Sequence, residues 1–364
     1  MTAPIDSSDQ FNPWYVPEGG FPSAEDDAGR SPLRIETIEN VEPLDRQFGI
    51  QPKKTVPDVL YDTLFGQPDP TEAEIQAAGG NAVTPVQTYA VLDAAKVENL
   101  PELLGASGLE HRCLFKGAAF DDLKNVAPWI VRLEDENNFT RRLFTGPKGI
   151  NGLWDREPGI YLRCRDGLGD VRAHVRKFTR VRDEAGKWFY FRFWEPRAAD
   201  AYFRHAQSDE DRILRWFYVG RTALSVLVVD TETKALAAFI PALSNTDKRP
   251  NSPFVYGEHE RAALRQGKIN QYENLLRSHL NDDNAAYAKL QENRQKELVK
   301  TLIAQAGQYG IRSEKSIADF AAASLRYKKP LEDNPRMGQV LRSSMHEADK
   351  IKELITLVNQ KKAY

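Results

Sequence analysis

The chain has 364 residues, 41% of them hydrophobic, and its 50 lysines and arginines face 52 aspartates and glutamates for a formal net charge of -2. That length has room for two domains and a tail, with enough apolar residues for real cores. The charge balance argues against a general nucleic-acid binder, which carries a basic excess, and no apolar run approaches the ~20 residues that span a bilayer.

Residues 1–33 are rich in Pro, Gly, Ser and Asp and are expected to lack stable structure, because little apolar area offsets the entropy of ordering them. Phe11, Trp14, Tyr15, Val16 and Phe21 stand out there. They fit a tail packed loosely on its own domain, the favoured reading, or a short docking peptide. A basic start followed by an apolar core is missing, so no secretory signal is expected and the location is expected to be cytoplasmic.

Residues 34–85 read as an N-terminal extension with short helices. One is expected from Pro57, with Val59, Leu60, Leu64 and Phe65 on one face and Gly66 as its stop. Thr71 with Glu74 three residues on is a capping-box pattern for a second.

Residues 86–256 alternate short apolar runs with amphipathic ones, a mixed α/β domain. Strands are expected over 87–92, 111–115, 127–133, 161–164 and 188–194, with short helices over 98–104 and from 139. Leu168, Val171, Val175 and Phe178 repeat at helical spacing, and two apolar runs flank the polar turn 230–233 as a hairpin. From Gly257 the spacing turns helical to the end: Ile269, Tyr272, Leu275, Leu276 and Leu280, then Leu298, Leu302 and Ala306, then Ile317, Phe320 and Ala321, then Ile351, Leu354, Ile355 and Val358. Gly310 is a helix stop and Ser313 an N-cap. The expected fold is α+β in two lobes, an N-terminal mixed lobe with a small sheet and an all-helical lobe over 257–364.

A catalytic or metal-binding constellation is not visible. Six histidines sit at no ligand spacing, and no Gly-x-Ser-x-Gly or phosphate-binding glycine loop occurs. Glu258-His-Glu260 reads as a solvated helix face. Cys113 and Cys164 fit one disulfide or two buried free thiols, the second favoured. Neither enzyme activity, a metal nor a cofactor is expected.

Four segments in order carry a family resemblance: Tyr89-Ala-Val-Leu-Asp-Ala94, Leu114-Phe-Lys-Gly117, Ala127-Pro-Trp-Ile-Val131 and Arg192-Phe-Trp-Glu-Pro-Arg197. With them the chain resembles, over roughly 87–220, the effector-loading adaptors of type VI secretion systems. Glu195 stands where the family pattern has aspartate. The resemblance implies a non-enzymatic cytoplasmic chaperone. It would bind a toxic effector protein as cargo, help mount it on the valine-glycine-repeat (VgrG) spike protein, and insert in no membrane.

Within that frame, two surfaces are expected to bind partners. Arg163, Arg165, Arg172 and Arg176 form a basic face assigned to an acidic surface of the spike protein. Ile269, Tyr272, Leu276, Ile351, Leu354 and Ile355 lie on helix faces without an obvious internal partner, and are assigned to the effector. The rival reading is a nucleic-acid-binding module using the arginines of 163–182, with the aromatics of 188–194 to stack bases.

Overall fold

The apolar runs become strands. In chain order these are β1 (Leu33–Ile38), β2 (Gln87–Asp93), β3 (His111–Cys113), β4 (Pro128–Leu133), β5 (Gly159–Cys164), β6 (Arg180–Arg182), β7 (Trp188–Tyr190), β8 (Tyr218–Val219), β9 (Thr222–Asp230) and β10 (Ala235–Pro241). The helices among them are α1 (Asp58–Phe65), α2 (Glu72–Ala77), α3 (Leu100–Ser107), α4 (Ala118–Leu123), α5 (Asn138–Leu143), α6 (Leu168–Val175), α7 (Pro196–His205) and α8 (Glu210–Trp216). Beyond them come α9 (Glu258–Asp283), α10 (Ala285–Ala288), α11 (Glu292–Gln308), α12 (Glu314–Tyr327), α13 (Pro335–Arg342) and α14 (Glu347–Gln360). The structure is a computed structural model that describes residues 31–243, 254–327 and 329–360. Of the stretch 1–33 expected to lack stable structure, residues 1–30 lie outside the described residues, while Leu33 is buried and opens β1, which corrects the expectation for 31–33.

The main sheet runs β1-β10-β9-β5-β2-β4-β3, with β8 paired to β9, and every pairing is antiparallel. It is an eight-stranded sheet rather than the small one expected. Both faces are covered, which is why the inner strands read as continuous apolar runs instead of alternating ones. Tyr89, Val91, Ile160, Leu162, Val226 and Phe239 turn to one side, where α6, α7 and α8 bury Val171, Tyr202, Phe203 and Trp216. Ala90, Leu92, Val131, Tyr161, Leu227 and Leu236 turn to the other, against Leu60 and Leu64 of α1, Leu104 of α3 and Leu143 of α5. At the centre β5 passes so close to β2 that a Cβ on Gly159 would lie 1.9 Å from the Val91 carbonyl oxygen. Only glycine fits there.

Two expectations for this region are corrected. Residues 34–85 are not merely an extension, because β1 pairs along its whole length with β10 and forms one edge of the sheet. Its remaining helices behave as expected. Pro57 precedes α1, although Val59 is exposed, and Thr71 and Glu74 form a reciprocal capping box on α2. The aromatic stretch 188–194 is not one strand. Only β7 is extended, paired with β6 in a separate two-stranded ribbon, with Trp188 and Tyr190 exposed. Phe191, Phe193 and Trp194 leave the ribbon and pack in the core around Trp216, Phe191 and Phe193 with their rings edge-on to its indole.

The described chain divides into two compact units, one ending at Gly267 and the other beginning at Lys268. In the first, the opening turns of α9 are anchored rather than solvated. Glu260 is fully buried, accepting a hydrogen bond from Arg212 Nε at 2.8 Å and another from its own helix start at Gly257 N, 2.8 Å. His259 lies against His205 with ring centroids 4.2 Å apart. The solvated-face expectation for 258–260 holds for Glu258, which is exposed, and fails for Glu260, because α8 supplies a guanidinium that neutralises the buried carboxylate.

The second unit is helical, with no strand among its described residues. Leu280, Val299, Leu302, Phe320 and Leu354 meet in one core shared by α9, α11, α12 and α14. Gly310 takes the left-handed conformation (φ 72°) after α11, and Ser313 Oγ accepts from Ser316 N as α12 begins. The Glu347 carboxylate also accepts from Arg312 N at 2.7 Å and Ser313 N at 3.2 Å, tying the starts of α12 and α14 together.

Candidate partner-binding face

The four segments that carry the resemblance converge on one corner of the sheet. β2 and β4 are direct neighbours, with Ala90 opposite Val131 and Asp93 opposite Pro128. Past the strand end, Ala94 N donates to Ala127 O (3.1 Å), while Leu114 N donates to Pro128 O (2.9 Å). The fourth segment closes the corner through Asp93. Its carboxylate, 2% exposed, accepts from Arg192 at 2.6 Å, Trp194 Nε1 at 3.2 Å and Ala95 N at 2.9 Å. Glu195 caps α7 by accepting from Ala198 N at 3.0 Å and faces Lys96 Nζ at 3.7 Å. Aspartate would cap equally well, so the departure at this position costs the corner nothing. Arg197 reaches Glu157 at 3.6 Å and Glu232 at 3.5 Å. These residues build the fold, as expected for Arg192 and Arg197.

The surface beside this corner is basic and aromatic. α6 buries Leu168, Val171 and Val175, which turns Arg172 and Arg176 outward. Arg172 Nε donates to Cys113 O at 2.8 Å, which aims the rest of its guanidinium into a cleft of about 540 Å³ lined by His111, Arg112, Phe115, Lys116, Phe120 and Trp129. Partial burial, then the neighbouring Arg176 and Arg112 charges, hold Arg172 below the usual arginine range despite the Cys113 contact. Phe115 leans on exposed Tyr190 of the ribbon (5.6 Å between centroids). Beyond it Arg180 and Arg182 lie over the Trp188 ring at 4.6 and 4.3 Å. Among the described residues Arg112, Lys116, Arg172, Arg176, Arg180 and Arg182 have no carboxylate in ion-pair range, whereas Arg165, Arg192, Arg197, Arg212 and Arg261 all do.

The structure splits the expected basic face. Arg172 and Arg176 are on it. Arg163 is not: it points from β5 into the protein, 8% exposed, and donates to Gly66 O and to Thr88 Oγ1 (3.4 Å). Burial, with help from Arg165, lowers its pKa to about 10, so it stays charged at neutral pH. Arg165 is consumed by Glu74 Oε1 (2.8 Å), Thr84 O (2.8 Å) and Pro68 O (3.1 Å), clamping the segment around α2. Both arginines sit on or just past a strand whose neighbours leave carbonyls uncovered, and they satisfy those carbonyls. Arg112 and Lys116 belong to the face instead. The pattern of 111–117 gave no one-sided spacing by which to find them.

The effector assignment on the helices is corrected more sharply. Tyr272, Leu276, Ile351 and Leu354 are buried in the core of their own unit, and Ile355 packs against it partly buried. The faces that looked unpartnered face one another. Ile269 is half-buried, and Leu275 of the same helix, not among the assigned residues, is exposed.

Both cysteines are free and buried. Burial pushes Cys164 up to about 12 and raises Cys113 as well. Among the described residues no three His, Cys, Asp or Glu side chains are grouped to hold a metal ion, and no helix is long and apolar enough to cross a membrane. No curated protein and no solved structure matches the chain. Residues 88–212, which hold all four segments together with Arg112, Lys116, Arg172 and Arg176, match the family model described as a domain of unknown function, DUF4123.

Proposed function

We propose that this protein is a cytoplasmic, non-enzymatic adaptor that binds a toxic effector and helps load it onto a type VI secretion spike protein. The resemblance of the four segments supports this reading, and the family match spans the same residues. The observation that carries it is the basic and aromatic face around Arg172 and Arg176, which has no carboxylate in ion-pair range among the described residues, in a chain whose net charge is -2. Clustered guanidiniums repel one another, and an acidic partner surface relieves that repulsion. Arg172 and Arg176 engage the spike protein in this reading.

The test is co-expression with a type VI toxin and a spike protein from the same genome. The adaptor reading expects both to be retained at low salt, and Arg172→Glu with Arg176→Glu to reduce spike retention at least about tenfold while sparing the toxin. Retention of neither protein by the unmodified chain overturns the reading.

A nucleic-acid reading has one observation in its favour, the exposed Trp188 and Tyr190 beside arginines. Stacking a base on Trp188 would first displace Arg180 and Arg182 from its ring. That favours a protein partner.

A further inference from the structure

The cleft beside β3 is built for something more specific than general attraction. Its cations line an open cleft: Arg112 and Lys116 come from β3 and the turn after it, and Arg172 comes from α6 across the opening. Its other walls are the aromatic rings of Phe115, Phe120 and Trp129, with Phe120 edge-on to Trp129 at 6.2 Å. Arg172 is pre-oriented, since its Nε is held by Cys113 O and its terminal amino groups remain for a ligand. Arg112 is steadied too, with NH1 donating to His111 O at 2.8 Å. A volume of about 540 Å³ suits one or two side chains.

We propose that this cleft captures a short acidic segment of a partner polypeptide, seating a carboxylate on Arg172 between Arg112 and Lys116 and an adjacent aromatic side chain on Phe115, Phe120 and Trp129. Arginine's planar fork matches a carboxylate, and the aromatic walls would bury the neighbouring ring that a bare anion lacks. A polynucleotide is the alternative occupant, since the same cations would attract phosphates, and a DNA control separates it from the peptide. The inference rests on the adaptor reading for the source of the segment and adds the chemistry by which that segment is chosen.

The experiment measures fluorescence anisotropy of the full-length chain with a labelled short peptide of glutamates around a central phenylalanine. Controls are the same peptide with glutamine for glutamate and a single-stranded DNA of equal charge. The acidic peptide should bind with a salt-dependent affinity, and the glutamine peptide at least about tenfold more weakly. Arg172→Gln should cost a similar factor. Lys116→Glu should do the same, and because Lys116 is exposed its melting temperature should not move. The proposal is overturned if both variants bind like the parent, if the glutamine peptide binds equally, or if the DNA binds more tightly than the peptide. Absent peptide binding with toxin and spike still retained removes the cleft and leaves the adaptor reading. Peptide binding as expected, with neither protein retained, removes the adaptor reading and leaves the cleft.

Discussion

Replacing Asp93 by asparagine exchanges one carboxylate oxygen for an amide nitrogen at the point where the sheet corner closes, and the structure sets the size of the effect. One oxygen of the amide can still accept from Ala95 N. The other position then becomes an NH2 group facing two donors, Arg192 and Trp194 Nε1. Trp194 is 3% exposed, so its indole N–H is left without an acceptor, a cost of about 1–3 kcal/mol. The lost bond to Arg192 counts for less, about 1 kcal/mol, because that side chain is 55% exposed and its guanidinium turns to water. Together these give roughly 2–4 kcal/mol, or a fall in Tm of roughly 5–15 °C for a unit of this size. Urea and thermal unfolding followed by tryptophan fluorescence would measure it. Arg192→Gln keeps a donor toward Asp93 but removes the cation paired with that buried carboxylate, so it should cost at least about 2 kcal/mol. If either Asp93→Asn or Arg192→Gln lies within about 0.5 kcal/mol of the parent, the corner is not held as argued.

Gly159→Ala should lose at least about 3 kcal/mol or fail to fold, since its Cβ would sit 1.9 Å from Val91 O between two central strands; a normal urea midpoint would contradict this. Glu74 is a pH-dependent clamp. Burial raises its pKa, but the Thr71 N–H and Arg165 more than offset that and hold the carboxyl below its ordinary value. A depressed pKa gives stability that is present above the ordinary glutamate value and lost as pH falls through the folded one. The parent should therefore lose its stability advantage over Glu74→Gln as urea midpoints are followed from neutral to acid pH, and a constant gap would refute the clamp. Leu354→Ala should cost about 2–5 kcal/mol and melt the helical unit instead of weakening one partner contact, as circular dichroism would show.

What could be read in advance was local chemistry. Thr71 with Glu74, Pro57 before α1, the 230–233 turn and the stripe Leu168, Val171, Val175 and Phe178 each rest on residues within one or two turns of each other, and each appears in the structure. What escaped depended on distant partners. β1 has charged residues at Arg34 and Glu36 and reads as polar, because only contact with β10, two hundred residues later in sequence, reveals it as a strand. Arg163 looks like its basic neighbours until Gly66 O and Thr88 are seen beside it. The helix faces of the second unit were correctly found as apolar. Periodicity alone does not distinguish a face that waits for another protein from one that meets its own chain.

The hydrogen bonds at β3 have a consequence for self-association. β3 ends the sheet, and an uncovered edge invites a strand from another molecule to extend it. Here the carbonyls of His111 and Cys113 already accept from Arg112 and Arg172. Two positive side chains thus stopper the acceptors that an incoming backbone would use. Without them, copies of the chain would risk stacking into polymers through this edge. Substitutions of Arg112 or Arg172 are therefore expected to trade lost ligand binding for a new tendency to aggregate, visible as concentration-dependent light scattering.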